Sequence, residues 1–135
     1  MILADTSIWV DHLRGNNPEM AQLLAMGRIL MHPFIVAEIA LGSLHNRRER
    51  LSDLGSLLEV QVATLSEVRH MIESYGLYSK GIGLTDAYLV AACLLTPGTQ
   101  LWTRDGALEK VAKSLNIHFD ISSFDGIHAS SADDL

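Results

Sequence analysis

At 135 residues and 14.8 kDa, the chain has room for one compact domain, since domains run to about 100–200 residues. Its 48% hydrophobic and 19% charged residues are those of a globular protein with a core, which excludes a disordered chain. Ten Lys and Arg against sixteen Asp and Glu leave a formal charge of -6, so attraction to a polyanion cannot rest on net charge and needs a local device.

The opening run Ile2-Leu3-Ala4 breaks at Asp5-Thr6-Ser7, the pattern of a short buried strand with an acid at its carboxyl end. Residues 7–14 read as a helix closed by Gly15, and Asn17-Pro18-Glu19 opens a second one to residue 26, closed by Gly27. A strand over 28–31 follows, then a helix over 33–44 that Pro33 opens and one acid, Glu38, interrupts. Leu51, Leu54, Leu57 and Leu58 recur at spacings of three and four, predicting an amphipathic helix over 47–58 whose first turn is basic. Residues 60–63 read as a strand, and Thr64 with Glu67 forms a capping box for a helix carrying Val68, Met71, Ile72 and Tyr75. Past Gly76, Gly81 and Gly83, Thr85-Asp86 opens the most hydrophobic helix, whose nine-residue apolar run over 87–95 falls short of the roughly 20 needed to span a membrane. Thr96-Pro97-Gly98 stops it; a strand over 101–103 ends in Arg104-Asp105-Gly106, and a helix over 107–115 and a last strand over 117–119 follow. With no membrane span and no basic segment before the first apolar run, the expected location is cytoplasmic. Strands alternating with helices predict an α/β fold with a mostly parallel sheet covered on both faces, and a site outside the carboxyl ends of its strands.

Four acids stand out against that frame. Asp5 and Asp105 end strands, Asp86 opens the most apolar helix, and Glu38 has Phe34, Ile35, Val36, Ala37, Ile39, Ala40 and Leu41 around it. Each has a plain structural alternative: a turn for Asp5, a helix cap for Asp105, a dipole-favoured first-turn acid for Asp86, a solvent-facing position for Glu38. Directed together at one sheet edge, however, like charges 4 Å apart cost roughly 4 kcal/mol per pair at an effective dielectric of about 20, so such a cluster calls for protons or a divalent cation. Oxygen-only ligands suit Mg²⁺ or Mn²⁺, whereas zinc would want His or Cys. The six histidines show no paired ligand spacing, and the lone Cys93 lies in an apolar run, as a buried thiol does.

The residues that carry this pattern also carry a resemblance. Leu3-Ala4-Asp5-Thr6-Ser7-Ile8-Trp9-Val10-Asp11-His12-Leu13-Arg14-Gly15 resembles the opening of the PIN-domain ribonucleases, specifically the VapC toxins. Val36-Ala37-Glu38-Ile39-Ala40-Leu41-Gly42 is similar to that family's second acidic motif, the stretch from Leu84 through Asp86 to Ala92 to its third, and Trp102-Thr103-Arg104-Asp105 to its fourth. The resemblance implies a PIN-like three-layer α/β/α domain over residues 1–120 with a tail over 121–135. It also implies an Mg²⁺-dependent endoribonuclease, Mn²⁺ being the substitute, that is the toxin of a type II toxin-antitoxin pair. Asp5, Glu38, Asp86 and Asp105 would form its catalytic, metal-holding pocket; Thr6, Ser7 and Thr103 would orient carboxylates or touch substrate, and Arg104 would contact phosphate. Arg47, Arg48 and Arg50 read as a solvated helix start or as a rim for the RNA backbone. The implied partners are RNA, a VapB-like antitoxin that inserts a cationic side chain and lies near the Leu-rich helix, and a second copy of the chain meeting it through helices 17–26 and 33–44. A phosphohydrolase with a nucleophilic Asp5 would want another Asp where Ser7 stands. The remaining alternative is a non-catalytic PIN-like module that docks a cationic partner segment in the acidic pocket.

Overall fold

The computed structural model describes residues 1–124; most of the tail over 121–135 lies outside the described residues. Strand β1 (Ile2–Ala4) is fully buried and lies at the centre of a three-stranded parallel sheet, between β2 (Ile29–Leu30) and β3 (Gln100–Trp102). Leu3 faces Leu30 on one side and Leu101 on the other, and Ala4 faces Trp102. A parallel sheet this apolar must be covered on both faces. The cover is α1 (Thr6–Leu13), α2 (Pro18–Ala25), α3 (Pro33–Ala40), α4 (Arg47–Gly55), α5 (Leu65–Ser74), α6 (Leu84–Leu95) and α7 (Gly106–Ser114), a three-layer α/β/α arrangement.

Local chemistry explains most of the boundaries. Asn17 caps α2 by accepting from the Met20 N–H, with Pro18 in the first helical position, and Thr64 and Glu67 form the capping box of α5. Gly15 and Gly27, at φ 78 and 69, turn the chain away after α1 and α2 through the left-handed region that glycine enters without strain. Helix α6 is buried without a break over residues 87–93 and forms the innermost helical wall. A small second core of Ala63, Val68, Ala87, Tyr88 and Ala91 fastens α5 to it.

The structure corrects several sequence expectations. Residues 60–63 form no strand: only Glu59 bridges, to Met31, because the Gln61 N–H is taken by the Thr96 hydroxyl at 2.8 Å while Val60 and Ala63 turn into separate cores. Residues 117–119 make a single bridge, His118 to Leu101, before Asp120 caps a short 3-10 turn. Helix α3 stops at Ala40 rather than 44. The Arg47 guanidinium donates to the carbonyls of Ala40 and Gly42, satisfying groups that a continuing helix would have used. Helix α4 ends at Gly55 rather than 58, where the Ser56 hydroxyl donates to the Asp53 carbonyl at 2.7 Å. No helix among the described residues is long and apolar enough to cross a membrane.

Candidate active site

Because β1 and β3 are parallel neighbours, their carboxyl ends open at the same edge of the sheet, and the chain leaves each one through an acid. The Asp5 N–H donates to the Trp102 carbonyl at 2.9 Å, extending the ladder to the first acid. Thr103 is buried there; its hydroxyl donates to Asp5 Oδ2 and accepts from the Asp105 N–H at 3.0 Å, so one hydroxyl sets the position of both acids. The other oxygen of Asp5 accepts from the Ser7 hydroxyl at 2.6 Å and from the Ile8 N–H at 3.3 Å, which makes Asp5 the cap of α1. Asp105 caps α7 through Oδ1, accepting from the N–H groups of Ala107 and Leu108 at 2.9 and 3.1 Å.

The remaining two acids arrive from helices. Helix α3 packs against α1, bringing exposed Glu38 to the Thr6 hydroxyl, which donates to Glu38 Oε1 at 2.6 Å. Asp86, half-buried in the first turn of α6, accepts from the Gly83 N–H at 3.4 Å. Its carboxyl is raised above the ordinary Asp value, chiefly by burial, with the Gly83 N–H opposing and the charges of Asp105, Asp5 and Glu38 adding to the rise. Asp5, Glu38 and Asp105, from three other chain segments, thus each lie within coulombic reach of Asp86.

The donor set has the chemistry of a hard-cation site. Glu38 Oε2, Asp86 Oδ1 and Asp105 Oδ2 have no hydrogen-bond donor among the described residues. None of the four acids has a basic partner there either: the ion pairs are Arg104 with Asp11 and Lys113 with Glu109. Arg104, expected at substrate phosphate, is thus tied to α1 by Asp11. Among the described residues no three His, Cys, Asp or Glu side chains converge tightly enough to share an ion as they stand. The acids sit at coulombic reach rather than in ligand contact, the spacing that mutual repulsion favours. Unspent carboxylate oxygens without positive charge fit a divalent cation of the Mg²⁺ or Mn²⁺ type. Soft-metal chemistry has no anchor, since burial pushes the Cys93 thiol up to about 12.

Beneath the site, His32 is completely buried and caps α3, its Nδ1 accepting from the Phe34 N–H at 3.0 Å. The ring stands edge-on to Phe34 and to Tyr88, at centroid distances of 5.1 and 6.4 Å, so it joins the helix of Glu38 to the helix of Asp86. Burial lowers its pKa to about 4. Two further residues, Arg14 and His45, carry no assignment from sequence; both line the cleft that Thr6 and Glu38 also line. The spacing of Thr6, Val10 and Arg14 along one helical face was the available signal.

Fold and site together define a single α/β domain with an acidic centre at the carboxyl ends of its strands, and residues 2–114, which include all four acids, match the family model described as PIN domain. The chain belongs to the PIN-domain family. It is 38% identical over 109 residues to "Ribonuclease VapC32" of Mycobacterium tuberculosis, in both strain CDC 1551 / Oshkosh and strain ATCC 25618 / H37Rv, across 81% of this chain and 88% of that relative. The resemblance read from the four acidic motifs is thereby met.

Proposed function

We propose that this protein is a metal-dependent endoribonuclease, the toxin component of a type II toxin-antitoxin system, with Asp5, Glu38, Asp86 and Asp105 as its catalytic residues and Mg²⁺ as the cation, for which Mn²⁺ would substitute. The observation that carries the reading is that β1, β3, α3 and α6 bring four carboxylates to one edge of the sheet, Asp5 and Asp105 joined through Thr103 and Glu38 held by Thr6, with no basic partner for any of them among the described residues. Similarity to a protein named as a ribonuclease supports the same conclusion. Bound at these acids, the cation supplies Lewis-acid charge against the negative charge that develops on a phosphodiester under attack by water. Asp5, fixed from both oxygens, and Asp86 would hold it, with Asp105 as a further ligand. Glu38, held at Oε1 by Thr6, presents Oε2 to take the proton of the attacking water. Thr103 and Ser7 keep Asp5 from turning away.

The antitoxin is proposed to lie in the groove of about 190 Å³ where Trp9, Leu13, Leu24, Leu54 and Leu57 meet, rimmed by His12, Asp53 and Arg50, and to send an Arg or Lys to the acids, where a guanidinium can pair with a carboxylate through two bonds. The chain is further proposed to act as a homodimer in the cytoplasm. Leu41, 88% exposed at the end of α3, and Met26, 49% exposed at the end of α2, are apolar surface that a second copy would cover. The deciding experiment incubates the purified chain with RNA and Mg²⁺, with and without EDTA, beside Asp5→Asn and Asp86→Asn. Cleavage that EDTA and both substitutions abolish is expected; cleavage at wild-type rates by either variant overturns the site. A non-catalytic docking module would show no cleavage at all.

A further inference from the structure

Two clefts flank the acids, and they differ in what their cations are already doing. On the β3 side, a cavity of about 440 Å³ holds Arg104 and Lys113, but Asp11 and Glu109 pair with these two. Its cationic side chains are spoken for. On the other side, a cleft of about 530 Å³ runs between α1 and the α3–α4 connection, from Thr6 and Glu38 at the acids to Arg14, His45 and Arg50. Among the described residues, neither Arg14 nor Arg50 has an acidic partner within ion-pair distance. Arg14 is exposed and Arg50 half-buried, so both guanidinium groups remain available to a ligand.

The layout of this second cleft is polar along its length. Thr6 and Arg14 are eight positions apart on α1, about 12 Å at 1.5 Å per residue, with Val10 between them on the same face. The Thr6 end therefore presents the Glu38 carboxylate and the far end the Arg14 guanidinium, separated by the span of a short extended stretch of single strand. Arg47, from the same basic run, is not part of this surface because its guanidinium is committed to the carbonyls of Ala40 and Gly42. That commitment ends α3, and the chain turns into α4, from which Arg50 lines the same cleft as Arg14.

We propose that Arg14 and Arg50, with His45 lining the same cleft as a further hydrogen-bonding group, form a backbone-phosphate subsite that holds the RNA strand on the Glu38 side of the cleavage point. This rests on the ribonuclease reading and adds a direction to it: the strand enters past α1 and the α3–α4 connection, not through the β3-side cavity. An acidic protein thereby gains its local anion-binding device, since single-strand affinity comes from a positively charged groove that tracks the backbone.

The test measures binding and cleavage separately. In the cleavage-deficient Asp5→Asn background, the affinity of the full chain for a labelled ten-nucleotide single-stranded RNA is followed by fluorescence anisotropy across a salt series. Each phosphate contact contributes a slope of about 0.7 in log affinity against log salt for single strands. The Arg14→Gln, Arg50→Gln pair is expected to flatten the slope by about 1.4 and weaken binding at low salt, while Arg48→Gln, outside the cleft, leaves both unchanged. In the otherwise wild-type chain, the same pair should raise KM for that RNA far more than it lowers kcat. An unchanged slope and KM, or equal effects from the Arg104→Gln control, overturns the assignment. Loss of antitoxin affinity with RNA binding intact assigns the cleft to the partner protein and overturns it as well. If the wild-type chain leaves RNA uncut with Mg²⁺, the ribonuclease reading itself falls; if it cuts RNA and the slope does not move, only the cleft assignment falls.

Discussion

His32 makes acid stability a sharp probe of the scaffold beneath the site. The imidazole is fully buried with Nδ1 accepting from the Phe34 N–H, so its hydrogen sits on Nε2, which has no partner among the described residues. A second proton would have to go on Nδ1, breaking the cap of α3 and burying a charge between Phe34 and Tyr88. Burial accordingly holds the pKa near about 4 instead of 6.5. An unfolded chain takes up a proton below 6.5 that the folded chain refuses until about 4, so stability is full above that window and falls as pH drops through it. At about 1.4 kcal/mol per pH unit, the loss across the window amounts to about 3 kcal/mol.

The assay is urea unfolding at half-unit pH steps from 7.5 to about 4, where a loss of about 3 kcal/mol moves the midpoint by about 1.5 M for a slope near 2 kcal/mol per M. His32→Asn supplies a non-titrating cap. Its smaller side chain will lower stability at every pH, so the decisive quantity is the pH slope, which should largely flatten. His12, also lowered by burial and then by Arg50, leaves a weaker residual slope of the same sign. Asp86 acts with the opposite sign, because its raised carboxyl takes its proton first in the folded state. A His32→Asn slope equal to that of the wild type, or an imidazole titrating at its ordinary value by NMR, would refute the reasoning.

Further outcomes follow from single contacts. Thr103→Val removes the hydroxyl shared by Asp5 and the Asp105 N–H and should lower metal affinity or activity by about 10–100-fold, the usual effect of losing a group that positions a ligand; Thr103→Ser should recover most of it, read by metal titration of cleavage. Arg47→Ala frees the carbonyls of Ala40 and Gly42 and should cost about 1 kcal/mol in urea unfolding, against near zero for Arg48→Ala. Sedimentation of the wild type should give twice the 14.8 kDa of one chain, and Leu41→Glu should halve that mass.

Much of this architecture can be read from the chain because its signals are local. A short apolar run that gives way to Asp5, or to Thr103-Arg104-Asp105, reports both a buried strand and the edge at which it stops, and Pro18, Pro33 and the Thr64–Glu67 box mark helix starts from within one turn. What escapes depends on partners far along the chain. Whether residues 60–63 pair as a strand is decided by the Thr96 hydroxyl, some thirty-five positions away. The end of α3 is decided by the side chain of Arg47. The solvent-facing position that the sequence allowed for Glu38 is the one it takes, and only the packing of α3 beside α1 turns that exposed side chain to the cleft. Arg14, His45 and Arg50 become a group only once α1 lies beside the α3–α4 connection.

Capping, weighed from sequence against metal holding for the acids, is present in the structure and is compatible with the proposed metal role. Asp5 caps α1, Asp105 caps α7, and Asp86 sits in the first turn of α6, so three helix starts point at the cluster. Each contributes roughly half a positive charge, which lets an otherwise unneutralised set of carboxylates persist without a basic side chain among them. The two roles separate by substitution at Asp105. Asn caps a helix about as well as Asp, so Asp105→Asn should keep the bonds to Ala107 and Leu108 while deleting the charge; Asp105→Ala deletes both. Both variants should lose metal-dependent cleavage. Only the alanine should unfold earlier, by about 1 kcal/mol for the lost cap, or about 3–4 °C in a chain of this size. The asparagine should match the wild type or exceed it, because Asp86 then loses the largest of its like-charged neighbours' contributions. Should Asp105→Asn melt as early as Asp105→Ala, the charge itself would be what holds the start of α7, and the two roles of the acid could not be separated.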